Sequence, residues 1–306
     1  MRTGTSYFKV LSKTMWLFAL LLVVFATGCD RDHGGVTGAG PGPGGDPGPA
    51  GAAPNLGLAS TYGIIAFNAI TNSAGPTHVY GDVALTGGVI ASAVGFNDGG
   101  AAPLLTSTLI TNSDGVTPGM ITASDNGTAA NIATLPQLQS DLNGAYLDLL
   151  GRAAPATPLT TAASAAGVSG GTFTPPSPDL SGFVLSPGIY TATGTYALSN
   201  TSGPLVLDAG GNADAVFIIR STAVGPSGLT STTGSVVLQN GAQSKNVFWL
   251  VDNATIGGGT FFQGTIVAGN TITLLGFANV EGRMLAGALG AGAITCTDTN
   301  VITVPQ

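Results

Sequence analysis

Over the C-terminal third, apolar and polar residues alternate in short runs punctuated by Gly, Asn and Asp. A period of two marks half-buried strands. The runs recur in threes. Residues 246–251 (NVFWLV), 253–257 (NATIG) and 260–264 (TFFQG) make one set. Residues 265–269 (TIVAG), 271–275 (TITLL) and 278–282 (ANVEG) make the next, and 283–287 (RMLAG) and 293–298 (AITCTD) open a third. Aligning Gly264 with Gly282 gives a repeat of 18 residues. Three short strands per turn of that length is the arithmetic of a triangular parallel β-solenoid. A looser triplet stands upstream at 188–192, 195–199 and 205–208. Glycines fall at the corners, where a sharp bend suits a residue without Cβ.

One segment has a different period. Leu135, Leu138, Leu142, Tyr146 and Leu149 are spaced by three and four residues, which draws one apolar stripe along a helix. With Thr134 as cap and Gly151 as stop, the pattern predicts a core-packing helix over 134–150.

Alternation also sorts the strands into inside and outside. Ile272, Leu274, Ile294 and Cys296 point inward, and Thr271, Thr273, Thr295 and Thr297 outward. Asn253 and Thr255 fall on the same outer face one turn earlier, with Thr195 and Ser199 further back. A second outer face ends at the corner glycines. It carries His78, Tyr80, Phe261, Gln263, Asn279 and Glu281 over an interior of Val79, Phe262 and Val280.

The N-terminus follows another logic. Arg2, Lys9 and Lys13 precede an apolar run at 15–25 that is too short to span a bilayer, which takes about twenty residues. Residues 1–28 are expected to be a signal peptide. Ala26-Thr27-Gly28-Cys29 resembles the lipobox of bacterial lipoproteins, which implies acylation of Cys29 and a membrane tether; ordinary secretion is the alternative. Residues 29–54, rich in Gly and Pro without a collagen period, read as a flexible linker, and 55–306 as the folded domain. Cys296 is expected to be a buried free thiol.

Composition narrows the chemistry. Only 8% of the 306 residues are charged, with 8 Lys+Arg against 15 Asp+Glu. Nucleic acid is excluded as a partner, because phosphate neutralisation needs clustered bases. In 55–306 His78 is the sole histidine and Glu281 the sole glutamate. A histidine triad or a multi-histidine zinc site cannot be assembled from that. The sequence has no calcium-loop motif and no phosphate-loop lysine. Neither a catalytic residue, a metal nor a cofactor is expected.

Several segments resemble the bacterial and fungal ice-binding family, which pairs a discontinuous β-solenoid with a long flanking helix. They include 62–82, the helical stripe, 185–190 (LSPGIY), 205–217 (LVLDAGGNADAVF), 235–250 (SVVLQNGAQSKNVFWL), 280–286 (VEGRMLA) and 293–300 (AITCTDTN). The resemblance implies a mainly β fold: a right-handed triangular parallel solenoid with one long α-helix packed alongside, its sheet completed by strands from both ends of the domain. It also implies an exported protein whose partner is the surface of an ice crystal. Two departures stand out. Members with strong ice activity often carry T-x-T or T-x-N patterns just before the corner glycine, where this chain has His78/Tyr80, Phe261/Gln263 and Asn279/Glu281. Residues 151–179 form an insertion rich in Pro, Ala and Thr.

Two candidate contact faces follow. One is the threonine face, with Thr195, Thr255, Thr271, Thr273, Thr295 and Thr297. The other is the corner face, with His78, Tyr80, Phe261, Gln263, Asn279 and Glu281. Threonine is favoured on any exposed strand, so the ladder alone does not decide the matter. Parallel solenoids also house polysaccharide-cleaving enzymes, although the acids here mostly occupy turns beside Gly or Asn. A cell-envelope adhesion or structural module, contacting carbohydrate or envelope protein through Tyr80 and Phe261, is the non-enzymatic rival.

Overall fold

The computed structural model describes residues 47–96, 106–111, 119–174, 177–222 and 228–306. The signal peptide, Cys29 and the linker up to residue 46 lie outside the described residues. Residues 47–54, expected to be linker, are instead docked on the domain: Ala50 is buried, the Pro47 carbonyl accepts the Val216 N–H, and Arg152 donates to the carbonyls of Ala50 and Ala52.

The strands stack into coils with three sides. In one coil, Val247–Val251, Asn253–Ile256 and the start of Phe261–Ala268 take one side each. In the coil before last, the end of that strand, then Ile272–Leu274 and the start of Asn279–Ala286, do the same. Pairing between coils is parallel throughout these turns. The 18-residue repeat is real here: Gly264 pairs with Gly282, and Thr273 with Thr255. The next coil is longer, since Ala278 is bonded to Asn300, 22 residues on.

Composition explains why the sides differ. On the first side the strands are buried on both surfaces and mostly apolar: all residues of Val247–Val251 and Phe217–Ser221 are buried, Arg220 and Ser221 among them. Their inner residues, such as Trp249 and Ile219, fill the solenoid, while Phe248, Leu250, Ile218, Val267 and Leu285 face outward onto a helix. The other two sides alternate, as solvated sheet surfaces do. At the turn from the third side to the first, Gly264 adopts a φ of +106°, and a Cβ on Gly282 would stand 1.8 Å from the Gly264 carbonyl oxygen. No other residue type fits two stacked corners that close together.

The long helix, Ala129–Gly151, buries Leu135, Leu138, Leu142, Tyr146 and Leu149 against the first side, with Ala145 added to the stripe. Its start differs from the sequence expectation. The cap is Thr128, whose hydroxyl accepts the Asn131 N–H at 3.2 Å, and Thr134 instead donates its hydroxyl to the Asn131 carbonyl at 2.6 Å. The first turn therefore precedes Pro136, which the helix accommodates internally. At the other end Arg220 donates from Nη1 to the carbonyls of Leu149 and Leu150, both at 2.8 Å.

The stack is discontinuous in sequence. Tyr62–Ala66 pairs with Asn279–Ala286, and Ala69–Ser73 with Ala293–Thr297. On the third side Asn300–Thr303 lies between Asn279–Ala286 and Thr77–Tyr80. The first coil of the domain thus continues the last one. Asn300, almost fully buried, fixes this seam by donating to Thr77 Oγ1 and to the carbonyls of Thr297 and Asp298 while accepting the Ala278 N–H.

The chain between the helix and Gly188–Ala192 supplies strands at the opposite end of the stack. Pro158–Leu159 and Gly171–Phe173 add two strands to the helix side. Phe173 meets Phe183 and Tyr196 edge-on at 5.7 and 5.8 Å. Cys296 is a free thiol, fully buried, and burial pushes its pKa up to about 12.

Candidate functional site

The second side is a seven-stranded sheet, ordered Tyr196–Leu198, Gly228–Ser231, Asn253–Ile256, Ile272–Leu274, Ala293–Thr297, Ala69–Ser73 and Ala93–Val94. Its register places Thr230 against Thr255, Thr255 against Thr273, Thr273 against Thr295 and Thr295 against Thr71. Five threonines therefore stand in one unbroken outward column, ended by Ala197 on one side and Val94 on the other. At strand spacing they recur about every 4.7–4.9 Å.

Partial columns flank this one. Asn253 is seated beside Thr271 and accepts both its hydroxyl, at 2.7 Å, and its N–H, at 3.3 Å. Thr195 stands beyond Gly228 in the same direction, its methyl 3.8 Å from where a Cβ on that glycine would lie. On the other flank Thr297 pairs with Ser73, and its hydroxyl donates to the Leu274 carbonyl at 3.3 Å. The outward positions of these strands are Thr, Ser, Asn, Ala, Val and Gly, with no charge among them. Threonine has a restricted χ1, and the hydrogen bond to Asn253 Oδ1 removes further freedom from Thr271. Such a surface presents fixed methyl and hydroxyl groups to water.

All six threonines expected on this face lie on it. Thr71 and Thr230 also stand on it, and alternation within a single strand does not reveal them. Thr71 belongs to the seam, and no sequence neighbour of Ala69–Ser73 reveals that its partner is Ala293–Thr297. Thr230 sits in a longer coil outside the 18-residue repeat.

The corner face is also assembled, in two columns. Phe261, Asn279, Val301 and His78 form one; Gln263, Glu281, Thr303, Tyr80 and Thr111 form the other. Val301 and Thr303, from the C-terminal strand, separate the members expected from the sequence. This side is interrupted: its remaining strands, Val184–Leu185, Leu205–Asp208 and Val236–Gln239, make a separate three-stranded sheet. Phe261 and Tyr80 project into solvent, 61% and 50% exposed. Glu281 accepts the Ser244 hydroxyl at 2.8 Å. Long, aromatic and charged side chains make this surface uneven.

The signature of the ice-binding-like family matches residues 64–302. The chain belongs to that family. Among solved structures it resembles an ice-binding protein from an Antarctic biological consortium, with 30% identity, a TM-score of 0.64 and coverage of 84% of this chain and 93% of the other. It is also similar to an ice-binding protein domain of Shewanella frigidimarina, at 27% identity and TM-score 0.64, over 83% of this chain and 98% of that one. An ice-binding protein from an Arctic yeast shares the fold at 23% identity and TM-score 0.61, over 81% and 93% of the two chains. No curated protein matches the chain. The β-solenoid with its flanking helix is thus a fold this chain shares with those ice-binding proteins.

Proposed function

We propose that this chain is a non-enzymatic ice-binding protein that adsorbs to ice through its threonine face. The observation that carries the reading is the column of Thr230, Thr255, Thr273, Thr295 and Thr71 in a single register. Repeat spacing along the column is close to oxygen spacings in ice, and the absence of outward charges on these strands leaves water free to order on methyl and hydroxyl groups together. Structural relatives described as ice-binding support the same reading. Export by the N-terminal signal, with Cys29 acylated, would hold the domain outside a bacterial cell on a Gly/Pro-rich tether. Mass spectrometry of the mature N-terminus tests that part, and an unmodified chain start would refute it.

Thermal hysteresis and ice-recrystallisation assays on the mature chain test the function. Faceted crystals and slowed recrystallisation are expected; no ice shaping at high micromolar protein sinks the proposal. A second reading rests on Phe261 and Tyr80, whose exposure on the corner face suits stacking on a sugar or a partner protein. A hit on a sugar array that the substitution Phe261→Ala abolishes would favour it.

A further inference from the structure

Two of the four bases of the folded domain converge on one cleft. Arg283 comes from Asn279–Ala286 and Lys245 from the short turn Ser244–Asn246. Together with Asn55 and Ser60 they line a space of about 230 Å³. Arg283 is only 7% exposed, yet no carboxylate pairs with it; the ion pair found among the described residues is Arg152–Asp148. Its Nε donates to the Ser60 carbonyl at 2.9 Å and its Nη1 to Thr265 Oγ1 at 3.3 Å. A guanidinium has five N–H donors, so the others remain for a further acceptor. Burial lowers its pKa to about 10, which leaves it charged at neutral pH.

The rest of the lining is complementary. Asn55 gives its Oδ1 to the Gly57 N–H at 3.0 Å, leaving its amide N–H groups for a ligand. Lys245 is exposed and brings an ammonium. Among the described residues none that lines the cleft carries a carboxylate. Asp141, which meets the same N-terminal segment, accepts from the Leu58 N–H and from Gln137. A buried cation without a counter-charge is strongly unfavourable, and guanidinium, ammonium and amide donors together match an oxyanion with several acceptor oxygens. The space is smaller than the roughly 300–1,000 Å³ of pockets that enclose drug-sized ligands, so its occupant is small.

We propose that the Arg283–Lys245 cleft binds a phosphate-type oxyanion, either free phosphate or the phosphate of an anionic lipid headgroup. Residues 53–57 line the cleft several residues beyond Pro47, whose carbonyl accepts the Val216 N–H, and beyond the packed turn Gly48–Ala50, so the site lies along the segment by which the N-terminal stretch is fastened to the domain.

The test uses the mature chain carrying Cys29→Ser, so that no acyl chain contributes to membrane capture. Inorganic phosphate is titrated calorimetrically, with sodium chloride of matched ionic strength as control. Saturable binding is expected, with a rise in melting temperature by linkage. Lys245→Gln should weaken it about tenfold, the worth of one charged hydrogen bond, and Arg283→Gln should abolish it. If Arg283→Gln does not fold, the exposed Lys245 decides alone. In parallel, flotation uses phosphatidylcholine vesicles with and without phosphatidic acid. Capture by phosphatidic acid that phosphate competes and Lys245→Gln removes assigns the headgroup; phosphate binding without capture assigns the free anion. The proposal is overturned by the absence of saturable phosphate binding, by binding that Lys245→Gln leaves unchanged, or by capture that phosphate does not compete.

Discussion

Thr71 and Thr295 are register partners on the threonine face, although one lies in the first coil of the domain and the other in the last. Their adjacency makes the column continuous across the seam. If the column is the contact surface, Thr71→Tyr should cut thermal hysteresis by more than half, as Thr273→Tyr and Thr295→Tyr should. Gln263→Tyr and Asn279→Tyr on the corner face should have little effect. Equal melting temperatures across the set would exclude unfolding as the cause, and the reverse order of activities would move the site to the corner face.

The helix start gives a second prediction. Thr128→Ala removes the acceptor of the Asn131 N–H and should cost about 1 kcal/mol in urea unfolding. Thr134→Ala, inside the helix, should cost less. A larger loss for Thr134 would restore the start read from the sequence.

Arg220 supplies the third. It is 7% exposed and donates to the two carbonyls near the end of the helix. Arg220→Met keeps much of the packing and removes the charge-assisted bonds, so a loss of roughly 1.5–3 kcal/mol is expected. Tyr196, whose hydroxyl donates to the Arg220 carbonyl at 3.0 Å, should show altered near-ultraviolet circular dichroism in this variant.

Alkaline pH gives the fourth. Burial raises Cys296 from 9.0 to about 12 and Tyr190 from 10.0 to about 12, and lifts Tyr196 well above 10.0. For such groups the fold favours the protonated form, and the unfolded chain loses its protons first. Their contribution is fully present below pH 9 and is lost as pH rises through about 12. Chemical denaturation should therefore show stability falling steadily over that window. In the same experiment Cys296 should resist thiol reagents until the protein unfolds; rapid labelling of native protein would contradict its burial.

Much of this architecture is legible in particular residues. Ile272, Leu274, Ile294 and Cys296 are inside because alternation along a strand is a local property, and all four are fully buried. The helical stripe at Leu135–Leu149 is legible for the same reason. Register across coils is not local. It depends on coil lengths, which are uniform only around Gly264 and Gly282, so Thr230 escapes a repeat-based reading. Thr71 escapes because its neighbour across the seam lies at the far end of the chain. The helix start was misplaced because the cap residue, Thr128, precedes the apolar stripe by two turns and only its hydrogen bond to Asn131 identifies it.

The seam has a wider consequence. Gly63 and Val304 nearly touch there, since a Cβ on Gly63 would lie 3.6 Å from a Val304 methyl. Both chain ends of the solenoid therefore leave from its middle, and internal segments such as Gly171–Phe173 form its tips. Repeats in this protein cannot be gained by extending either terminus, as they are in open-ended arrays. Growth of the stack has to occur by lengthening loops at the tips, such as the one between Pro158–Leu159 and Gly171–Phe173. Rejoining the chain across the seam and reopening it at a tip would yield a circular permutant with mostly neighbouring contacts, which should fold faster than the natural order of strands.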